Sequence, residues 1–300
     1  MSIYFSKLKL GFHRFRRTYR NIRYRVIPSM LLNLHADVFG RPRFANFNKF
    51  LLSLGHRGLG IRNFRPQKLS GEIPYAKTVL SKIDGRGNTL LDVGAHEGTF
   101  TSEVLKNTRY LNLVTIEPNP MTFERLSARF EQNDRVLLVN VGAGDEETTL
   151  QLYDYCDKKG SSHASFIKGV IEGIHKSASS EMEVRVRRLD DVVSENKLNV
   201  VFIKIDVEGF ELHALKGLER TIRIQRVPYI LLEFNEMNAY AGIFLRDIMD
   251  FLNEYEPFRI LPRGRLLSLR PYRAYWVEVF AYQNIAFIRK DIVHSSAEAL

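Results

Sequence analysis

The sequence predicts an α/β fold: a mostly parallel, Rossmann-like sheet with helices on both faces, preceded by a basic helical segment. Three observations carry this expectation. From about Pro74 onward, short apolar runs alternate with longer amphipathic ones. Strands alternating with helices demand crossover connections, and hence a parallel sheet. The first of those runs, "TLLDVGAHEGTFT" (89–101), passes from an apolar strand through glycines into a helix start, the unit on which α/β proteins seat ligands at strand carboxyl ends. Finally, residues 1–71 hold 15 Lys/Arg against one acid, Asp37, whereas the other 229 residues hold 29 Lys/Arg and 33 Asp/Glu. The basicity therefore belongs to an appendage and says little about what the body binds.

Taken in order, residues 1–70 form an N-terminal extension and 71–300 the body. In the extension, Phe5, Leu8, Phe12, Phe15, Tyr19, Ile22 and Val26 recur every three or four residues, with cations and no acid among them. This spacing makes one apolar stripe of a helix that ends at Pro28. Such a helix over residues 1–28 suits peripheral contact with an anionic membrane surface, or packing on the acidic body. In the body, "TLLDVG" (89–94) reads as a buried strand, followed by a helix from Glu97 to Lys106. "LNLVTIEP" (111–118) and "RVLLVNVG" (135–142) are the next strands, with a helix over 120–133 between them. "TTLQLYDY" and "EMEVRVRRLDDVV" read as added strands around a polar insertion, 157–180. "NVVFIKIDVEG" (199–209) and "PYILLEFN" (228–235) complete the parallel set, each followed by a helix, "FELHALKGLERTI" and "LRDIMDFLNEY". Strand-like pieces fill 257–289, among them "VEVFAYQNIAFI".

A chain of 300 residues that is 45% hydrophobic is long enough and apolar enough for one large domain with an appendage. Its single cysteine, Cys156, has no partner for an internal disulfide, which favours a reducing compartment. No apolar run reaches the ~18 residues of a membrane span, and the N-terminus lacks a secretory core. The expected location is cytoplasmic, with or without contact with the inner membrane surface.

The glycine turn limits the ligand. A dinucleotide fingerprint needs G-x-G-x-x-G, and here Gly94-Ala95-His96-Glu97-Gly98 lacks the middle glycine. A P-loop needs G-K-[ST], and Gly98 is followed by Thr99 and Phe100. Glu97 would also repel a phosphate at the helix N-terminus. An acidic, glycine-lined turn suits a cationic or zwitterionic ligand, such as S-adenosyl-L-methionine. Glu117, ending the second strand 23 residues after Gly94, can accept both hydroxyls of a ribose. The alternative for Asp92 and Glu117 is that they cap helices.

The ordered set "LLDVGAHEGTFT", "TIEPNP", "VNVGAGD", "VRRLDDVV", "FIKIDVEGFELHALKG" and "LLEFNE" resembles the FkbM family of methyltransferases over roughly residues 88–255. The resemblance implies a class I methyltransferase fold and O-methylation of a sugar or polyketide-type hydroxyl. It places the methionine end of the cofactor against Gly94, Ala95 and Gly98, with Asp92 and His96 in the same turn. The ribose falls to Glu117, and the adenine lies near Asn119 and the turn Asn140–Val141–Gly142.

Transfer to an alcohol needs a base to take the proton. Lys204, Asp206 and Glu208 alternate along an otherwise apolar strand, and the next strand brings Glu233 and Asn235. A buried lysine needs a partner, and Glu233 or Asp206 would serve. Asp206, at the strand end, is the favoured base, with Lys204 and Glu233 beside it. A structural ion pair is the plainer reading of Lys204. Asp206, Glu233 and Asn235 are also oxygen ligands of the kind Mg²⁺ uses, a metal reading less favoured than a metal-free site. His163 and His175 in the insertion are alternative bases, whereas His213 reads as structural. Two rival functions remain. A nucleic-acid methyltransferase fits the basic N-terminus, but not the acidic strand end, which repels phosphates. A cofactor-binding interaction protein without turnover does not explain the intact acids. The acceptor is expected to be a small molecule or glycan, free or lipid-linked. Its identity and the oligomeric state have no readable code.

Overall fold

The computed structural model describes residues 29–64, 67–83, 85–157 and 160–298. The apolar stripe at 5–26 lies outside these residues. By packing, the described residues divide into two units: 29–56 with 294–298, and Arg57–Val293. In the first unit, helices Ser29–Phe39 and Ala45–Gly58 are joined by a short turn. The second unit carries the sheet.

In chain order its strands are β1 (Asn88–Val93), β2 (Asn112–Ile116), β3 (Val136–Val139), β4 (Gly142–Ala143), β5 (Thr148–Tyr155), β6 (Ser179–Arg187), β7 (Asn199–Ile205), β8 (Tyr229–Phe234), β9 (Tyr255–Leu261), β10 (Arg265–Ser268) and β11 (Gln283–Arg289). An eight-stranded sheet runs β10-β9-β11-β8-β7-β1-β2-β3, and β4-β6-β5 form a small second sheet. Strands β3, β2, β1, β7 and β8 are mutually parallel, and β11 enters antiparallel between β8 and β9. Chain order reverses beside β1, the switch point at which such sheets bind ligands.

Because side chains alternate along a strand, the central strands feed two cores. Leu91, Val114, Ile203 and Ile230 pack with Val192, Leu215 and Ile222. Leu90, Leu113, Phe202 and Leu231 pack with Tyr75, Val79, Phe100 and Val104 on the other face. Helices therefore cover both faces, as expected.

Three local expectations are corrected. The run "EMEVRVRRLDDVV" stays extended only to Arg187; Leu189–Glu195 is helical. Asp190 explains the turn-in: its carboxylate accepts from the Thr221 N–H and hydroxyl, both at 2.7 Å, and docks the segment on helix Glu219–Ile224. The expected single helix after β7 is two, Glu211–Lys216 and Glu219–Ile224. The Gly217 carbonyl between them accepts from Asp190 N–H at 2.9 Å, outside the helical ladder. In the tail, β9, β10 and β11 are the expected strands, but the run "VEVFAYQNIAFI" is strand only from Gln283, because Val277 closes the short helix Ala274–Val277. The insertion is polar in composition yet anchored, through a wide π-type turn at Val170–Ile174 whose Val170 and Ile171 are buried.

Candidate active site

The register of the parallel strands builds the site. Val139, Ile116, Val93, Ile205 and Leu232 are paired neighbours in one row across the sheet. The next residue of each chain therefore forms a second row at the carboxyl edge: Asn140, Glu117, Gly94, Asp206 and Glu233. Four of these five are polar, in a sheet that is otherwise apolar at that depth. An open cleft lies over the row, lined among others by Gly94, His96, Glu117, Val141, Phe166 and Asp206.

Gly94 makes the row possible. Its φ of +78° is a left-handed conformation, and a Cβ there would lie 1.8 Å from the Asp206 carbonyl oxygen. Only glycine allows β1 and β7 to leave the sheet this close together. Gly98, also left-handed, serves a different end. A Cβ there would meet the Phe130 ring at 2.3 Å and Leu126 at 2.8 Å. Ala95 is buried in the same contact. Gly98 and Ala95 thus seat the helix Thr99–Asn107 against Pro120–Phe130, and neither is among the residues that line the cleft.

Glu117 is 7% exposed and lines the cleft. Its Oε2 accepts from His96 N–H at 2.9 Å and its Oε1 from Asn119 N–H at 3.0 Å. Burial pushes the carboxyl up to about 7, against those two donors. Burial likewise lowers the His96 imidazole. Asn119 does not reach the cleft. It is buried as the N-cap of Pro120–Phe130, accepting from Met121 N–H and donating to Asp154. Asn140 acts one step back, its amide donating to the Glu117 carbonyl at 2.8 Å. Gly142 leaves room for the Phe166 ring, which a Cβ would meet at 2.6 Å.

Strand parity puts Asp92 and Lys204 on the face covered by helices Glu72–Leu80 and Thr99–Asn107. Lys204 Nζ lies 3.1 Å from Asp206 Oδ2, 3.7 Å from Asp92 Oδ1 and 3.9 Å from Glu72 Oε1. Burial opposes the ammonium, but the three carboxylates outweigh it and raise its pKa. Asp92 is fully buried, bonded by the Thr101 hydroxyl at 2.7 Å, and burial raises its carboxyl. Burial also lifts Glu72 to about 7. Asp92, Lys204 and Glu72 therefore form a charged footing under the cleft, and Asp206, with 29% of its side chain exposed, is the member that reaches it.

Glu233 stands next to Asp206 in the row and accepts from Asn235 Nδ2 at 2.7 Å. Burial, with Asp206 and Glu208 nearby, raises its carboxyl well above the ordinary value. The Lys204–Glu233 pair considered from sequence gives way to Lys204–Asp206. Of the metal candidates, Asn235 is engaged as a helix N-cap, its Oδ1 accepting from Met237 N–H at 2.8 Å. Among the described residues no group of three His, Cys, Asp or Glu side chains is arranged to hold a metal ion.

Four contributors were not legible as such. Glu72, the first acid after Asp37, was signalled only by the charge change at that point. Glu211 latches the turn after β7, accepting from Gly209 N–H at 3.1 Å and Asn238 Nδ2 at 2.6 Å. Asp154 holds the insertion, accepting from the backbone of Gly160 and Ser161 and the Ser161 hydroxyl. Phe166 then reaches the cleft from that insertion. His163 is brought to its rim, Nδ1 3.4 Å from Glu208 Oε1, with the His175 ring 4.6 Å away. His213 stacks on Phe210 and pairs with Asp145, away from the cleft.

A family model described as the methyltransferase FkbM domain matches residues 92–257, more than half of the chain. The chain belongs to the FkbM methyltransferase family. This FkbM protein is an S-adenosylmethionine-dependent methyltransferase with the class I sheet. It is similar to the 2-O-methyltransferase NoeI of Sinorhizobium fredii, 26% identical over 71% of this chain and 90% of that protein. It is also similar to the hexuronic acid methyltransferase AglP of Haloferax volcanii, 30% identical over 64% of this chain and 72% of that protein. Among solved structures, Aeropyrum pernix fibrillarin with bound S-adenosylmethionine is matched at 13% identity and a TM-score of 0.38, over 78% of this chain and 85% of that one.

Proposed function

We propose that this FkbM protein methylates a hydroxyl oxygen of a sugar or glycan-type acceptor, with Asp206 as the base. The observation that carries the reading is the approach of Asp206 to Gly94 at the floor of the cleft. The names of the two relatives, a 2-O-methyltransferase and a hexuronic acid methyltransferase, support the acceptor class.

S-adenosylmethionine, when bound, supplies the methyl group. Glu117 accepts from the two ribose hydroxyls, and Gly94 and His96 border the methionine end. Val141 and Phe166 supply apolar walls for the adenine. Asp206 would take the acceptor's proton as the O–C bond forms and the methyl's C–S bond breaks, its electron pair leaving with the sulfur, so the oxygen attacks without developing a full positive charge. Lys204 holds Asp206 in place, and Glu233 with Asn235 borders the acceptor beside it. Acids along this edge disfavour a nucleic-acid phosphate chain. We place the reaction in the cytoplasm, on a free or lipid-linked glycan.

Methyl-labelled S-adenosylmethionine, incubated with lysate divided into lipid, polysaccharide, small-molecule and nucleic-acid pools, tests this. Alkali-stable label in a glycan-bearing pool is expected. Label confined to nucleic acid, or cofactor binding with no transfer to any pool, would overturn it.

A further inference from the structure

The helical pair of the first unit shows an unusual surface. Its turn is well built: Phe39 packs against His35, Phe44 and Phe47 with ring centroids 5.0, 5.1 and 5.3 Å apart. Asn48 Nδ2 donates to the Phe39 carbonyl at 2.8 Å, and its Oδ1 meets His35 Nε2 at 3.1 Å. The turn thus half-buries Phe39 and Phe44 against one another. Yet Leu31, Leu34 and Val38 on helix Ser29–Phe39, and Phe47, Phe50 and Leu54 on helix Ala45–Gly58, are all exposed, Phe50 by 58% and Leu54 by 54%. Each set recurs at three- or four-residue spacing as a stripe, and Met30, Leu32, Leu51 and Leu52 are exposed as well, so the outward apolar surface of each helix is broader than one stripe. A soluble monomer seldom leaves stripes of this kind uncovered.

The charge beside the stripes selects what covers them. Arg41 and Arg43 lie at the turn, Lys49 and Arg57 on or beside the second helix, and Asp37 is the one acid. A second copy docking through the same face would set cations against cations. An anionic lipid surface satisfies both features, acyl chains taking the apolar stripes and headgroups the cations. Helices of 11 and 14 residues are too short for the ~20 residues that cross a bilayer. Among the described residues no helix is long and apolar enough to span one. We propose that the Ser29–Gly58 helical pair lies in the plane of an anionic membrane surface, with Leu31, Leu34, Phe50 and Leu54 inserted at the headgroup–acyl boundary. The stripe predicted at 5–26 continues the same chemistry, but the test below does not depend on it.

The full chain is mixed with vesicles of phosphatidylcholine alone or with 30% (roughly) phosphatidylglycerol and floated through a density gradient, so that aggregates sink and bound protein rises. Wild-type protein is expected to float with the anionic vesicles only. The triple variant Leu34→Ser, Phe50→Ser, Leu54→Ser should bind at least about tenfold more weakly, with S-adenosylmethionine affinity unchanged as the sign of an intact fold. Arg41→Glu with Arg43→Glu should abolish the preference for anionic lipid. Wild-type protein that stays at the bottom, or a triple variant that floats as well as wild type, overturns the proposal. So does a concentration-dependent dimer, seen by sedimentation without lipid, that the triple variant abolishes.

Discussion

A side-chain carbon on Gly94 would lie 1.8 Å from the backbone carbonyl of Asp206. The turn after β1 and the end of β7 thus meet at a distance that no other residue permits, at a φ that other residues also resist. Gly94→Ala is expected to push the two strand ends apart, lower stability by roughly 1–3 kcal/mol and weaken S-adenosylmethionine binding by at least about tenfold. Calorimetry and urea unfolding measure the two effects. An alanine variant that binds normally would show that the approach does not shape the cofactor site.

Glu117→Ala should weaken cofactor binding by about 1.5–3 kcal/mol, the worth of a charge-assisted contact to two hydroxyls. The effect depends on pH. Burial holds this carboxyl near 7, and only the ionised form accepts from both hydroxyls. Affinity should therefore rise between pH 6 and pH 8 in wild type, over about the range that the pKa spans, and stay flat in Glu117→Gln. A wild-type profile that is flat or falling would remove Glu117 from the ribose.

Asp206→Asn keeps the shape of the strand end and cannot accept a proton. Turnover on the true acceptor is expected to drop about 10²-fold or more, with cofactor affinity within a few-fold of wild type. Activity close to wild type would pass the role of base to His163, which stands at the rim.

Lys204→Met leaves Asp92, fully buried, without its cation, while Asp206 keeps part of its access to water. Breaking a buried pair by removing one partner costs about 3–5 kcal/mol. Adding Asp92→Asn should restore part of that loss, because the uncompensated charge goes with it. A double variant no more stable than the single one would show that Lys204 contributes through its cation–π contact with Phe100 instead.

The apo protein should lose stability as pH rises from about 5 to about 8. Glu72, Glu117 and Glu211 each hold their protons to about 7 when folded, because burial penalises the charged form, against an ordinary value of 4.5. The folded state therefore binds more protons than the unfolded state across that window, and the unfolding free energy falls with pH there. Asp291, held at about 2 by Arg289, acts below the window. Thermal unfolding should show a midpoint lower at pH 8 than at pH 5 by at least about 2–4 °C, the equivalent of ~1 kcal/mol in a chain of this size. A rising midpoint would mean that these acids are ionised in the folded protein.

What the sequence determined by itself was whatever depends on near neighbours along the chain. Apolar runs identify β1, β2, β7 and β8, because burial on both faces demands continuous apolar side chains; β3, whose run is equally apolar, lies at the sheet edge and is only partly buried. The ordered motifs identify the methyltransferase. The spacing from Gly94 to Glu117 marks two of the five residues in the carboxyl-edge row. Tertiary structure decided which polar groups meet, since that depends on register and parity between strands distant in the chain. Register placed Asp206 beside Gly94 and Glu233 beside Asp206. Parity turned Asp92 and Lys204 toward the face where Glu72 arrives from a helix that precedes the whole sheet. The same logic explains the residues placed elsewhere. Ala95, Gly98 and Asn119 sit in motif positions that read as ligand contacts, yet the helices Thr99–Asn107 and Pro120–Phe130 need close packing and a cap there. A polar or small residue in a motif can satisfy a ligand or a neighbouring helix, and only the direction of its side chain in the folded protein separates the two.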